Sequence, residues 1–125
     1  MMKSIILIMV GGGLGSACRY LFSAFAGRWL GNGFAWGTLG VNLGGCLMIG
    51  LVYALAERSL IPVSLRHFLM AGFLGGFTTF SAYALESVNL MRNGDILNAM
   101  LNLTLNNLAG FILVLCGIWL ARYLV

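Results

Sequence analysis

The chain has 125 residues, 61% of them hydrophobic and only 8% charged, with a mean hydropathy of +0.99 and a formal net charge of +4. Soluble domains carry about 25% charged residues, so this composition excludes a soluble fold and describes an integral membrane protein with a single four-helix transmembrane domain over residues 1–125. The seven Lys and Arg stand singly (Lys3, Arg19, Arg28, Arg58, Arg66, Arg92, Arg122), which argues against nucleic acid and against a polybasic lipid patch.

Crossing the hydrocarbon core takes about 20 apolar residues, and four such stretches follow in order. The first runs from Ile5 to Phe25. Gly11 and Gly15 form a G-x-x-x-G pair that admits a close helix neighbour. Gly15-Ser16-Ala17-Cys18 has a passing likeness to a lipoprotein cleavage site, but Gly11-Gly12-Gly13 interrupts the apolar run and Arg19 follows, so this segment reads as a retained span. Arg19 lies in its last third, where it either snorkels to the interface or faces an aqueous vestibule that concentrates anions.

After a Gly31-Asn32-Gly33 loop, the second span runs from Trp36 to Ala56. Thr38, Asn42 and Gly45 fall on one face, and Gly40 and Gly44 make another close-approach pair. Asn42, near mid-span, needs partners for two donors and an acceptor.

The third span, Leu65 to Leu90, is too long for one straight crossing and contains Gly75-Gly76-Phe77-Thr78-Thr79-Phe80-Ser81. Gly and Thr are poor helix formers, so a break is expected between Gly75 and Thr79, with Thr78 or Thr79 capping the second half. No acid completes a capping box, since Ser81 and Ala82 occupy the candidate positions. A break in hydrocarbon frees backbone groups that only protein or a hydrated path can satisfy, which marks a pore or binding site. Glu86, an acid inside the span, is a functional or pairing residue by default.

Arg92-Asn93-Gly94-Asp95 is a tight turn into the fourth span, Ile96 to Tyr123. Asn98, Asn102 and Asn106 repeat at i+4, beside Thr104 and Asn107; they either glue helices or line a polar track, and the track is the favoured reading. Cys18, Cys46 and Cys116 read as inert small packing residues. His67 and Asp95 stand at opposite ends of the third span, about 30 Å apart across the bilayer. No triad, metal cluster or phosphate loop assembles, so the protein is not expected to be an enzyme.

Taken together, three motifs in order carry a resemblance: Gly11-Gly12-x-x-Gly15-x-x-x-Arg19-Tyr20, Gly37-Thr38-Leu39-x-Val41-Asn42-x-x-Gly45, and Gly75-Gly76-x-Thr78-Thr79-Phe80-Ser81. They resemble the Fluc (CrcB) family of small fluoride channels over the whole chain. That resemblance implies an all-α membrane protein of four transmembrane helices, the third broken, assembled as an antiparallel homodimer of dual topology in the plasma (inner) membrane. It implies fluoride export that lowers the cytoplasmic concentration, and a structural sodium ion held by carbonyls that map to Gly75 and Thr78. The pore asparagine maps to Asn42, the paired pore rings to Phe80 and Tyr83, and the vestibule cation to Arg19. The chain departs from the family pattern at Tyr83, where Phe is usual, and along the fourth span, where asparagines stand in for hydroxyl residues. How the second ring meets the ion, and which fourth-span residues line the pore, therefore stay open.

A small, strongly hydrated anion needs its shell replaced piece by piece. Asn42 N–H groups, the hydroxyls of Thr79 or Ser81, and positive ring edges supply such contacts. A small four-helix cation or drug exporter is the competing reading, and would need an acid for its substrate; Glu86 is the only one clearly inside a span. A third class, a non-transporting anchor, accounts for the glycine pairs but not for Asn42 facing a broken helix.

Overall fold

A main chain in hydrocarbon must satisfy its polar groups internally, and the α-helix does so within each segment. The computed structural model, which describes residues 1–125, is accordingly all-helical. Helix α1 spans Met2–Leu30 and α2 spans Trp36–Glu57. The third span, Val63–Arg92, is two helices, α3 over 63–77 and α4 over Phe80–Arg92. Helix α5 is Ile96–Leu124. All four spans are long and apolar enough to cross a membrane. They extend past the expected limits because the helices continue into the interfacial zone, where Trp29, Arg28 and Arg92 stand.

Helix α1 lies along α3, and α2 lies along the second half of α5. Small residues allow both approaches. A Cβ at Gly11 or Gly15 would run into the main chain of Phe68 or Phe73, and one at Gly50 or Gly117 would meet the carbonyl of Val114 or Leu47. The expected Gly40–Gly44 pair holds only in part. Gly40 faces the Phe22 ring, whereas Gly44 has open space around it in the protomer. Steps of four overshoot one helical turn, so two such glycines point in different directions unless a neighbour follows the drift.

Only 18 of 125 residues are buried, and the core consists of small side chains such as Val41, Ala54, Ala99 and Ala121 around a fully buried Asn102. The outer surface is apolar, as a surface against lipid or a second chain must be. Cys18 and Cys116 lie on that surface and Cys46 is half-buried, all three as free thiols. A membrane helix is apolar on its outer face too, which removes the pattern that would tell inside from outside.

Two segments widen into π-helix, His67–Leu74 in α3 and Leu105–Ala109 in α5. Such segments are rare, re-aim side chains and gather at functional sites. The turn Asn93-Gly94-Asp95 joins α4 to α5, with Gly94 at φ 78°. Asp95 caps α5, its Oδ1 accepting from the Asn98 backbone N–H at 3.2 Å.

Candidate functional site

The third span breaks at two residues. Thr78 (φ −86°, ψ 159°) and Thr79 (φ −151°, ψ 121°) are extended, while Gly75 and Gly76 remain helical. Thr78 turns its hydroxyl back to the Leu74 carbonyl at 2.9 Å, a competing bond characteristic of Thr. Thr79 caps α4, its Oγ1 accepting from the Ala82 N–H at 3.2 Å.

The main chain of Thr79 is satisfied by a side chain. Its N–H donates to Asn42 Oδ1 at 2.8 Å, and its carbonyl accepts from Asn42 Nδ2 at 3.0 Å. The Asn42 amide thus stands in for a peptide group of a neighbouring strand. Because the Thr79 N–H goes to Asn42, the Gly75 carbonyl loses the amide that a continuous helix would send it. The other Asn42 N–H donates to Asn106 Oδ1 at 2.9 Å. Both N–H groups of Asn42 are therefore committed within the protomer, where the sequence reading leaves them free to meet an ion.

From Asn42 a one-way chain of donors crosses the bundle. Asn106 Nδ2 donates to Asn102 Oδ1 at 2.9 Å, Asn102 Nδ2 to Ser87 Oγ at 2.9 Å, and Ser87 Oγ to the Tyr83 carbonyl at 2.8 Å. Asn98 takes no part; its amide donates to Asp95 Oδ2 at 2.8 Å. The expectation of a polar track through Asn98, Asn102 and Asn106 is thus corrected. Asn102 is wholly inaccessible and binds helices together, while Asn98 belongs to the α5 cap. An i+4 stripe specifies a shared helix face but not what lies opposite each member.

Against the break lies a cavity of about 320 Å³, lined by Asn42, Gly75, Thr78, Thr79, Phe80 and Tyr83 among others. Six of the eight expected site residues meet there. Ser81 is outside it and exposed, its Oγ 3.4 Å from Thr79 Oγ1. Arg19 is also outside, reaching the Thr78 carbonyl with Nη1 at 3.4 Å. The rings of Phe80 and Tyr83 meet edge-on, with centroids 5.4 Å apart at 69°. They are not equivalent: Phe80 is 77% exposed and Tyr83 6%.

Cys46, Met70 and Asn107 also line this cavity and were not singled out for it. Asn107 reaches it from the π-helical segment of α5, and no propensity or spacing announces that widening.

A second cavity, about 360 Å³, opens between the loop after α1 and the far end of α4, with Thr38, Glu86 and Asn89 in its wall. Glu86 Oε1 accepts from Thr38 Oγ1 at 2.7 Å, and its Oε2 is buried without a partner. Glu86 is therefore a pairing residue on one oxygen, as expected of an intramembrane acid. Helix α4 touches the first cavity with its opening turn and the second with its closing turns. His67 sits near the other end of the bundle, its Nδ1 3.1 Å from Ser4 Oγ.

Comparison with known proteins agrees with this architecture. Residues 6–118 match the family model described as "CrcB-like protein, Camphor Resistance (CrcB)". A relative from Maridesulfovibrio salexigens, named "Fluoride-specific ion channel FluC", is 40% identical over 125 residues, 99% of either chain. One of the same name from Hydrogenovibrio crunogenus is 40% identical over 119 residues, 94% of this chain and 90% of the relative. A third, from Rhizobium etli, reaches 46% identity over 91 residues, 72% of this chain and 73% of the relative. With a four-span architecture, a third span broken where the motif lies, and similarity running through nearly the whole length, the chain belongs to the CrcB family.

Proposed function

We propose that this multi-pass membrane protein is a fluoride-selective channel that lets the ion leave the cytoplasm across the plasma (inner) membrane. The observation that carries the reading is the cavity at the break, where hydroxyl, amide and ring groups surround a space with no cationic side chain in its wall. Weak, numerous donors suit a small hydrated anion that must enter and leave again. Arg19, beside the Thr78 carbonyl, adds positive potential near the approach without holding the ion in the cavity. An ion arriving there takes over donors now spent internally: an Asn42 N–H from Asn106, and the one proton that the Thr79 and Ser81 hydroxyls share between them, with Ser81 just outside the cavity.

The working unit is an antiparallel homodimer. Phe80 leaves most of its ring exposed beside an open-sided cavity, which a second copy would cover. At the end that holds the N-terminus stand Lys3, Arg58, Arg66 and Arg122; at the other stand Arg28 and Arg92. Such a small difference orients insertion weakly.

A sodium ion fits the Gly75 and Thr78 carbonyls. The first is freed by the break on an exposed part of the protomer, and the second is held only by a long contact to Arg19. Bound there, the ion would supply fixed positive charge at the two-fold axis. Gly75→Val tests this placement. Within the protomer a Cβ at Gly75 meets nothing closer than the Met70 carbonyl at 3.7 Å, so loss of the dimer would come from crowding at the axis. Thr78→Ser should be mild, and equal tolerance of both changes would remove the ion from this site.

Purified protein in liposomes decides the main claim. Fluoride efflux without chloride efflux is expected. Release of neither ion, or substrate-driven movement of organic cations, would overturn the reading in favour of an anchor or an exporter.

A further inference from the structure

The Tyr83 hydroxyl lies at the cavity with an unusual division of labour. Asn107 Nδ2 makes two bonds, to the Leu103 carbonyl at 2.8 Å and to Tyr83 Oη at 2.8 Å. A carbonyl only accepts, so the bond to Leu103 fixes which end of the amide is nitrogen. Both Asn107 N–H groups are then donors, and the phenol oxygen is the acceptor. A phenol has one proton left to give, and no acceptor in the protomer takes it. Tyr83 is 6% exposed and lines the cavity, which leaves a guest of that cavity as the acceptor open to this proton.

We propose that the Tyr83 O–H, oriented by Asn107, is an anion-donating group of this cavity and serves as a direct ligand to the permeating halide. The inference rests on the channel reading above and adds a contact to it. A bond received by the phenol oxygen polarises its O–H and makes it a better donor, since hydrogen bonds in a chain reinforce one another. The Tyr83 and Phe80 rings meet at 69°, and of the two Phe80 retains the exposed ring. The π-helical stretch Leu105–Ala109 makes the arrangement possible, because it lets the adjacent residues Asn106 and Asn107 serve α2 and α4 respectively. Asn107 is the positioning residue and Tyr83 the ligand.

Three variants of the full chain in liposomes test the assignment: Tyr83→Phe, Asn107→Leu and both together, with flux normalised to folded dimer. Tyr83→Phe keeps the ring and its packing while it removes the phenol donor and the acceptor of one Asn107 N–H, and normalising to folded dimer separates the flux from any loss of stability. A lost bond to a charged partner is expected to lower fluoride flux by about tenfold or more. Asn107→Leu should lower it less, and should add nothing in the Tyr83→Phe background, because Asn107 acts only through the hydroxyl. A structural role would not move the second readout. Near-ultraviolet difference absorption on adding sodium fluoride, against sodium chloride, should show a tyrosine signal in the wild type that Tyr83→Phe abolishes. Wild-type flux together with an unchanged difference spectrum in Tyr83→Phe would overturn the proposal. Additive losses in the double variant would overturn the role of Asn107. A wild-type protein that passes no fluoride fails at the channel reading itself, and this role falls with it.

Discussion

The third and fourth spans both bring polar groups to mid-membrane depth, and they do so in opposite ways. The third span gives up its helix at Thr78 and Thr79 and presents main-chain groups. The fourth stays helical throughout, widening only to π-helix at Leu105–Ala109, and presents side-chain amides. Each solution needs the other. Thr79 N–H and C=O would be unsatisfied without Asn42, and Asn42 in turn spends its remaining donor on Asn106. A break costs little when a side chain replaces the missing peptide partner, and much when none does. The lesson is that polar content does not decide whether a membrane helix breaks. Local helix propensity permits the break, and a facing amide stabilises it.

The strongest way to break this pairing is at Asn42. Asn42→Asp keeps an acceptor for the Thr79 N–H but removes both donors. It also sets a carboxylate against the Thr79 carbonyl and on the proposed anion path, where repulsion of an ion at ~4 Å and effective ε ~20 is ~4 kcal/mol. Fluoride flux should be abolished while membrane insertion persists, as read by efflux and by detergent gel filtration. Normal flux from a well-folded Asn42→Asp dimer would take Asn42 out of the path.

The fourth span is challenged next by Asn102→Leu. Its amide is fully buried between Asn106 and Ser87, so the change leaves both partners short of a bond at a cost of about 1–3 kcal/mol each. Thermal unfolding in detergent should show the loss, and flux should fall with it. A polar track with water in it would instead tolerate the change in stability.

A smaller effect is expected at the cap. Thr79→Ala removes the bond from Ala82 N–H and should cost about 1 kcal/mol. Thr79→Ser should restore most of it, and the same unfolding assay distinguishes the two. Failure of serine to rescue would show that the methyl group, and not the cap, is what the break requires.

The least effect belongs to Asn98→Ala. Asn98 is bonded to Asp95 at the helix start and stands apart from the amide chain, so stability should change by no more than about 0.5 kcal/mol and fluoride flux should be unchanged. A large loss of flux would return Asn98 to the path and unite the stripe.

Much of the architecture could be read before any coordinates. Hydropathy placed four spans because crossing hydrocarbon demands long apolar runs, and the Gly31-Asn32-Gly33 loop and the Asn93-Gly94-Asp95 turn marked two of the joins. The break was legible because Gly75, Gly76, Thr78 and Thr79 are all weak helix formers in one place. Asn42 was legible because an amide in hydrocarbon needs partners. What remained out of reach was partner choice. That Asn42 would clamp Thr79, that Asn98 would leave the stripe for Asp95, and that Asn107 would hold Tyr83 all depend on helix rotation and on a π-helical widening. Spacing along a chain sets which residues share a face. Only the packing of one helix against another sets what that face meets, and in a bundle whose outer surface is as apolar as its core, no hydrophobic pattern carries that information in advance.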